Sequence, residues 1–390
     1  GEKTQGSKEA SRRSATFSGL TLHRNITTFY FCGKVRSMES TRLASLTARE
    51  VECATRSFRS AAPHHQSLVF CDVSLFEGFT TAQKEAAFVD DKSLPPRRAA
   101  IIAATTGGSE GPVVYQGHAP IDAKGAPPVM RVVPRVQPAM SPEEYELAER
   151  LIREYGPFQA ACARFGLDAR HVRSDPWCVG WASPEDDPET RLCEPVLFYQ
   201  EDPEDDLYAR PLEGIVLRVD LWHPGGARVI SMEEDTRNVR VGARPLHRVP
   251  DFAAEALRPR LTPLLTMQPE GPSFELRADG SVVWQRWSFV VGFNAREGCF
   301  LSKVEYAGRP VAWRLSFAEM VVPYGDPHSP HYRKAAFDAG EDGLGRNAHS
   351  LDPDRCDCAP GGSPEFLDAC VANPDGTAHA IANAVCVHEE

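Results

Sequence analysis

Residues 274–291 read FELRADGSVVWQRWSFVV, and this stretch, together with residues 304–317 (VEYAGRPVAWRLSF), decides the fold of the C-terminal third of the chain. Both stretches are rich in β-branched and aromatic residues, and their apolar positions alternate with polar ones. Ala278-Asp279-Gly280 interrupts the first stretch and Ala307-Gly308 the second, as turns do between hairpin strands. We therefore predict two antiparallel hairpins, with one continuous strand over 281–291, that open a large antiparallel β-sandwich.

Residues 139–266 have the pattern of a small α+β domain. Ser141-Pro142-Glu143-Glu144 is a capping box, in which the serine hydroxyl accepts from the N3 amide and the last glutamate reaches back. Gly156 is placed to close the helix, and strand-like runs follow at 195–199 and 214–220. Two helices against an antiparallel sheet are therefore expected. The apolar face of the first helix is formed by Leu147, Leu151, Ile152 and Tyr155.

The remaining sequence divides into three parts, so that the overall fold class is α+β. Residues 1–92 are rich in Ser, Arg, Thr and Ala, which predicts a disordered or targeting leader, with untranslated sequence as the alternative. Residues 93–138 contain short strand-like runs, the last at 129–136, and predict a partial first small α+β domain. Residues 267–390 are expected to be the truncated N-terminal part of the β-sandwich.

The composition restricts the functional class. A formal net charge of −11 disfavours a nucleic-acid-binding surface, because such surfaces concentrate Lys and Arg. No apolar run approaches the ~20 residues of a membrane-spanning helix. The 11 cysteines are too dispersed for a disulfide scaffold, and no C-x-x-C pair indicates a zinc ribbon. We therefore expect a protein that binds neither nucleic acid nor membrane.

Common catalytic motifs are missing from the sequence. It has no Walker P-loop, no G-x-S-x-G elbow and no H-E-x-x-H motif. Gly343-x-Gly345 follows no apolar strand and is a poor dinucleotide-binding signal. Asp326, His328 and His331 are candidates for a surface metal site, but two prolines interrupt the run, which favours an extended surface loop.

The stretch from residue 319 to residue 345 points to one enzyme family. It reads EMVVPYGDP over 319–327 and HYRKAAFDAGEDGLG over 331–345, and it resembles the copper amine oxidases, especially the plant and algal type. The resemblance covers about residues 93–390 in family order. Further matching blocks lie at 175–180, 208–211, 268–274, 296–298, 347–351, 356–358 and 384–390.

The resemblance implies a fold and a reaction. Small cystatin-like α+β domains are expected before the catalytic sandwich. A tyrosine oxidised to topaquinone condenses with a primary amine, a carboxylate removes the α-proton of the substrate Schiff base, and hydrolysis releases an aldehyde. Copper and oxygen reoxidise the cofactor and yield ammonia and hydrogen peroxide. The full-length protein is thus expected to be a primary-amine oxidase and a homodimer.

Asp338 matches the position of the family's catalytic base. A proton on carbon is weakly acidic, so its acceptor must lie within hydrogen-bond-like reach and benefits from a pKa above the ~3.9 of a free Asp. Desolvation by the apolar neighbours Ala336, Phe337 and Ala339 would raise that pKa. Composition alone favours an ordinary turn residue before Gly340, whereas the surrounding match favours the base.

Other residues acquire roles through the same resemblance. Tyr324 matches the tyrosine that hydrogen-bonds the quinone oxygen; the alternative is a core aromatic residue. Ala336 aligns with the gate of the substrate channel, where a small side chain predicts a more open entrance, and Phe337 is expected beside it at the substrate. Trp177 either lines the same channel or is a buried structural tryptophan.

Cys358 and Cys386 match the family's disulfide. Closing that loop would stabilise the domain by ~3–4 kcal/mol through chain entropy. Cys370 offers a competing partner. Residues 361–370 also lack the family's usual aromatic strand, so the local strand pairing is left open.

Two features of the family's cofactor site are missing from the sequence. There is no Asn-Tyr pair for the quinone tyrosine and no H-x-H pair for copper, and both normally follow the His-Glu-Glu block found here at 388–390. We expect the 390-residue chain to be a fragment that holds neither cofactor and has no turnover alone. The rival interpretation is a truncated, non-catalytic binding or dimerisation module. The resemblance favours a peroxisomal location, with plastid and secreted locations left open.

Overall fold

The computed structural model describes most residues beyond position 40, and these belong to one compact unit. Within 322–323 and 335–336 the description is limited to the backbone. The described ranges are 41–63, 67–106, 112–179, 186–237, 239–242, 258–259, 261–262, 267–317, 322–323, 335–336, 343–352 and 362–389.

The first folded part is a helix packed on a four-stranded antiparallel sheet. Helix α1 (Ala48–Ala61) begins with a capping box between Thr47 and Glu50. A second helix, α2 (Thr81–Val89), follows the first strand. Helix α1 buries one face, formed by Val51, Ala54, Thr55 and Phe58. The strands, in sheet order, are β1 (Leu68–Leu75), β2 (Arg98–Thr105), β3 (Val113–Pro120) and β4 (Val129–Val132).

The predicted boundaries are wrong in this part of the chain. Residues 48–89 form two helices and a strand, so they belong to neither a leader over 1–92 nor a partial domain beginning at 93. The Ser-, Arg- and Ala-rich composition concealed an amphipathic helix whose charged residues lie outside the buried face formed by Val51, Ala54, Thr55 and Phe58. The strand predicted over 129–136 ends at Val132, and the chain then turns at Pro134-Arg135, where Arg135 has a φ of 58°.

Val51→Ala is expected to destabilise the chain by roughly 2 kcal/mol, because the Val51 side chain is fully buried and loses two methyl groups. Urea unfolding followed by circular dichroism measures the change. The control is Arg56→Ala on the exposed face of α1, which should stay within about 0.5 kcal/mol of the parent. Equal stability of the two variants would contradict a packed α1.

The second folded part confirms the prediction of two helices against antiparallel strands. Helix α3 (Pro142–Glu154) has the predicted capping box, and α4 (Gly156–Arg164) follows at once, so Gly156 begins α4 rather than closing α3. Phe158, Leu197 and Leu217 are buried in the shared core. The strands are β5 (Val172–Asp175), β6 (Leu192–Cys193), β7 (Val196–Tyr199), β8 (Leu212–Glu213), β9 (Ile215–Asp220), β10 (Arg228–Glu234) and β11 (Arg240–Val241). They pair in the orders β5-β7, β10-β9-β6 and β11-β8.

The third part is a five-stranded antiparallel meander, and both predicted hairpins are present. Ala307 and Gly308 have positive φ, as in the type I′ turn that suits a two-residue hairpin loop. The single strand predicted over 281–291 is wrong, because the chain turns at Gln285 (φ 56°). The strands, in sheet order, are β12 (Phe274–Leu276), β13 (Ser281–Trp284), β14 (Trp287–Asn294), β15 (Gly298–Tyr306) and β16 (Arg309–Leu315).

Two further strand pairs complete the described structure. Strands β17 (Val322–Pro323) and β18 (Ala335–Ala336) pair with each other, and β19 (Glu365–Ala372) forms a hairpin with β20 (Ala378–Val387). Within the stretch 361–370, whose pairing the sequence left open, residues 365–370 belong to β19 and pair with β20. The hairpin tip docks on the first folded part, where the Phe70 amide donates to the Pro374 carbonyl at 2.9 Å.

Candidate functional site

The structure describes only some of the predicted site residues. Ala336 pairs through its backbone with Val322 across β17 and β18, so the chain just before Tyr324 runs beside the chain just before Asp338. Trp177, Cys370 and Cys386 are also described. The predicted site residues outside the described ranges are Tyr324, Asp326, His328, His331, Phe337, Asp338 and Cys358.

The segment that follows Asp338 in sequence is anchored on the turn between β14 and β15. The Leu344 amide donates to the Arg296 carbonyl, and the amides of Gly345 and Arg346 both donate to the Ala295 carbonyl, each at 2.9 Å. Three backbone hydrogen bonds therefore fix the chain six to eight residues after the predicted base.

Gly343 and Gly345 permit this close approach. Gly343 has a φ of 84°, and a Cβ there would overlap the Ala295 carbonyl oxygen. A Cβ at Gly345 would overlap the Asn294 carbonyl oxygen. Sequence reasoning set this glycine pair aside as a poor dinucleotide signal and missed its packing role. The sequence signal for this packing role is the pair of glycines, separated by one residue, at the end of the stretch that matches the copper amine oxidases.

Asn294 and Glu297 hold the turn that receives this segment. Asn294 Oδ1 accepts from the amides of Arg296 (3.0 Å) and Glu297 (2.7 Å), and its Nδ2 donates to Glu297 Oε2 at 2.6 Å. Arg314 donates to both oxygens of Glu297, and Ser316 Oγ donates at 2.8 Å. Burial raises the pKa of Glu297, but these hydrogen bonds outweigh it and lower the pKa to about 2. Glu297 is therefore charged at neutral pH.

Glu297→Gln is expected to cost roughly 2 kcal/mol at pH 7, a value discounted for partial solvent screening. The folded-state pKa lies below the ordinary 4.5, so the charged Glu297 stabilises the fold above pH 4.5 and loses that effect as the pH falls toward 2. Urea unfolding at pH 7 and pH 3 measures this dependence. Glu275→Gln, which removes an exposed ion pair with Arg277, is the control. A Glu297→Gln effect that is the same at both pH values would contradict the argument.

Glu389 ties the end of β20 to the beginning of the five-stranded sheet. Its Oε2 accepts from the Ser273 amide at 2.7 Å and from Gln268 Nε2 at 2.8 Å, and its Oε1 accepts from Trp284 Nε1 at 2.8 Å. The hydrogen bond from the Ser273 backbone is the main cause of a lowered pKa of Glu389. Sequence reasoning included Glu389 only in a matched block and missed this role.

Trp177 is partly buried, and its polar groups are bonded. Its Nε1 donates to Asp175 Oδ2 at 2.9 Å, and its carbonyl accepts from the Glu194 amide at 2.9 Å. The Tyr208 hydroxyl lies 3.5 Å from the same Asp175 oxygen, and its ring packs edge-on against Phe198. These contacts account for the orientation of Trp177, and its place in a substrate channel stays a prediction.

Cys370 and Cys386 lie at opposite ends of the β19–β20 hairpin. Cys386 faces Phe366, whereas Cys370 faces Ala380. The four residue steps from position 366 to position 370 span about 13 Å along a strand, beyond the ~7 Å that a disulfide bridges. Cys370 is therefore excluded as a partner of Cys386, whose Sγ lies 3.4 Å from His388 Nδ1. The pairing with Cys358 stays a prediction.

Within the described ranges, no three His, Cys, Asp or Glu side chains come together in a way that could hold a metal ion. Among the same residues, no helix combines the length and apolar character needed to cross a membrane.

Two domain profiles of one enzyme family match the chain in succession. Residues 143–249 match the copper amine oxidase N3 domain, and residues 276–390 match the copper amine oxidase enzyme domain. The first span covers the second folded part, and the second covers the five-stranded sheet, the anchored glycine segment and the β19–β20 hairpin. The fold and these matches define a chain that contains two successive domains of the copper amine oxidase type.

Similar proteins agree with this class. The chain is 36% identical to N-methylputrescine oxidase 1, peroxisomal, from Nicotiana tabacum over 89% of its own length. It is 40% identical to diamine oxidase [copper-containing] 1, peroxisomal, from the same plant over 76% of its length. The chain therefore belongs to the copper amine oxidase family. It spans about half the length of these relatives or less, 48% and 39% respectively.

A solved structure shows the same architecture. The copper-containing benzylamine oxidase from Hansenula polymorpha superposes with a TM-score of 0.73 at 25% identity. The superposition covers 90% of this chain and 55% of that enzyme. The mixed helix-and-sheet fold with antiparallel sheets is thus shared.

Proposed function

We propose that this chain is part of a copper- and topaquinone-dependent primary-amine oxidase, which converts a primary amine and oxygen to an aldehyde, ammonia and hydrogen peroxide. The observation that carries the proposal is the match of residues 276–390 to the family's enzyme domain. The names of the two tobacco relatives, which state amine oxidation, support the same reaction.

Asp338 is proposed as the base that takes the proton from the α-carbon of the bound amine. Its place in the matched stretch supports this role, and so does the anchor that fixes the chain from Leu344 onward. A base works only when it is held close to the proton that it removes. Tyr324 is proposed to orient the cofactor ring through its hydroxyl, and Ala336, Phe337 and Trp177 are proposed to line the substrate site.

Copper and topaquinone supply electron-accepting chemistry when they are bound. The given sequence contains no H-x-H pair and no Asn-Tyr pair, the patterns that the family uses for the copper ligands and for the quinone tyrosine. The purified 390-residue chain is therefore expected to release no hydrogen peroxide from amines. Peroxide above a boiled-protein blank would contradict this expectation.

The domain boundaries, the disulfide, the oligomeric state and the location are proposed by the same resemblance to the family. The division into 139–266 and 267–390 is supported by the matched spans, and the cystatin-like character of the small domains is supported by α1 packed on its four-stranded sheet. The Cys358–Cys386 disulfide and a homodimer are proposed for the full-length protein. A peroxisomal location is proposed from the names of the tobacco relatives.

The decisive experiment is to sequence the transcript beyond the codon for Glu390, express its product with copper, and assay peroxide release from a panel of primary amines. The oxidase is supported if the reading frame continues with an Asn-Tyr-Asp/Glu motif and an H-x-H pair, and if the product releases peroxide. A stop codon, together with an inactive product, supports the rival, a non-catalytic binding or dimerisation module. Stoichiometric metal lost on His328→Ala or His331→Ala would instead support a surface metal site.

A further inference from the structure

Strand β16 reaches from the five-stranded sheet into the first folded part of the chain. The Trp313 ring packs edge-on against Phe79 and Phe88, with ring centroids 6.1 and 5.8 Å away. Its Nε1 donates to Glu77 Oε2 at 2.9 Å. The neighbouring Arg314 donates to the other oxygen of Glu77 through Nη1. Both Glu77 oxygens are thus bound by consecutive residues of one strand.

Arg314 binds two carboxylates from distant parts of the sequence. Its Nε and Nη2 contact Glu297, while its Nη1 contacts Glu77. The side chains of Glu77, Arg314 and Glu297 are 16%, 24% and 14% exposed, so these ion pairs are better shielded from solvent than surface pairs. The guanidinium also lies over the Phe300 ring, 3.6 Å from its centroid.

Open space lies beside these charged side chains. A cavity of about 370 Å³ adjoins Glu77, Arg314 and Glu297 and is also lined by Asn294 and Lys84. Because there is open space beside it, the Arg314 side chain can move when one of its carboxylates loses its charge. Glu297 would then lose the donors that fix it, and the Asn294–Glu297 turn would loosen.

We propose that Glu77 is a positioning residue for the segment that carries the base. From the first folded part it holds Arg314, which holds Glu297 and the turn whose carbonyls bind the amides of Leu344, Gly345 and Arg346. The identification of Asp338 as the base rests on the proposed function, whereas each link up to Leu344 is a contact of the folded chain. The first folded part thus acts on the segment that carries the base through the contact between Glu77 and Arg314.

Hydrogen–deuterium exchange of the 390-residue chain tests the link. In Glu77→Gln, the peptide containing residues 344–346 is expected to exchange 5- to 10-fold faster, while the β19–β20 peptides are unchanged. Arg314→Lys should behave in the same way, because lysine keeps the charge but lacks the planar fork that reaches two carboxylates. Glu275→Gln, at an exposed ion pair on the same sheet, is the matched control and should change neither region.

The conservative variant separates positioning from general stability. Glu77→Asp keeps the charge and is expected to recover at least half of the lost protection at 344–346. Unchanged exchange at 344–346 in Glu77→Gln, or equal acceleration throughout the chain, would overturn the proposal. The exchange measurement needs no oxidase activity, and activity is tested separately on the copper-loaded product of the complete transcript. The expected exchange together with a complete product that releases no peroxide would refute the proposed function alone, and an active complete product with unchanged exchange would refute the positioning role alone.

Discussion

Asp338→Asn is expected to lower the rate of amine oxidation by about 10²- to 10⁴-fold, the range that a positioned general base contributes. Asparagine is close to aspartate in size and shape, but its amide oxygen is a very weak base and cannot hold the proton. The loss corresponds to roughly 3–5 kcal/mol in the barrier of the proton-removal step. Folding and cofactor formation should be unaffected, because the backbone anchor begins six residues later.

The measurement uses the copper-loaded product of the complete transcript. Peroxide release gives kcat, and the quinone absorbance shows whether the cofactor has formed. Asp122→Asn, in an exposed loop of the first folded part, is the control and should leave kcat unchanged. If Asp338→Asn retains a rate within fivefold of the parent while the quinone is present, another group removes the proton.

The parts of the fold that were predictable depend on residues adjacent in sequence. The capping box at Ser141–Glu144 and the turn at Ala307-Gly308 are specified within four residues, and both are confirmed. Helix α1 was missed because its buried face consists of only four residues, within a composition that resembles a targeting leader. The turn at Gln285 was missed because neither Gly nor Asn marks it, and the pairing of β13 with β14 imposes its positive φ.

The candidate site was less predictable because its supports join distant positions. Asp338 and Tyr324 were identified by resemblance alone and stay predictions. The glycines at 343 and 345 are visible in the sequence, but their need for space arises from a turn some fifty positions earlier. Glu77 and Arg314 lie 237 positions apart, and no local pattern in either segment indicates that they meet. Such contacts form only when the folded chain brings distant segments together, so the sequence alone does not indicate them.

Gly345→Ala is expected to destabilise the catalytic segment by about 3 kcal/mol, at the upper end for overpacking a tight contact. The new methyl group would overlap the Asn294 carbonyl oxygen and lie 3.0 Å from Gly298 Cα, so the segment must move away from the turn. The amides of Gly345 and Arg346 would then lose the Ala295 carbonyl as their acceptor. Urea unfolding measures the stability change, and hydrogen exchange over 344–346 shows where it acts.

Gly242→Ala is the matched control, because a Cβ there meets nothing within 4 Å and its φ is ordinary for any residue. It should stay within about 0.5 kcal/mol of the parent. If the stability change of Gly345→Ala were as small as that of Gly242→Ala, the segment would tolerate displacement. The two closely spaced glycines after Asp338 would then not be explained by a fixed anchor. If instead the exchange rate of Gly345→Ala rises only at 344–346, the anchor is a local feature. The same variant in the active oxidase should then lower kcat more than it changes KM, because the segment that carries the base is displaced.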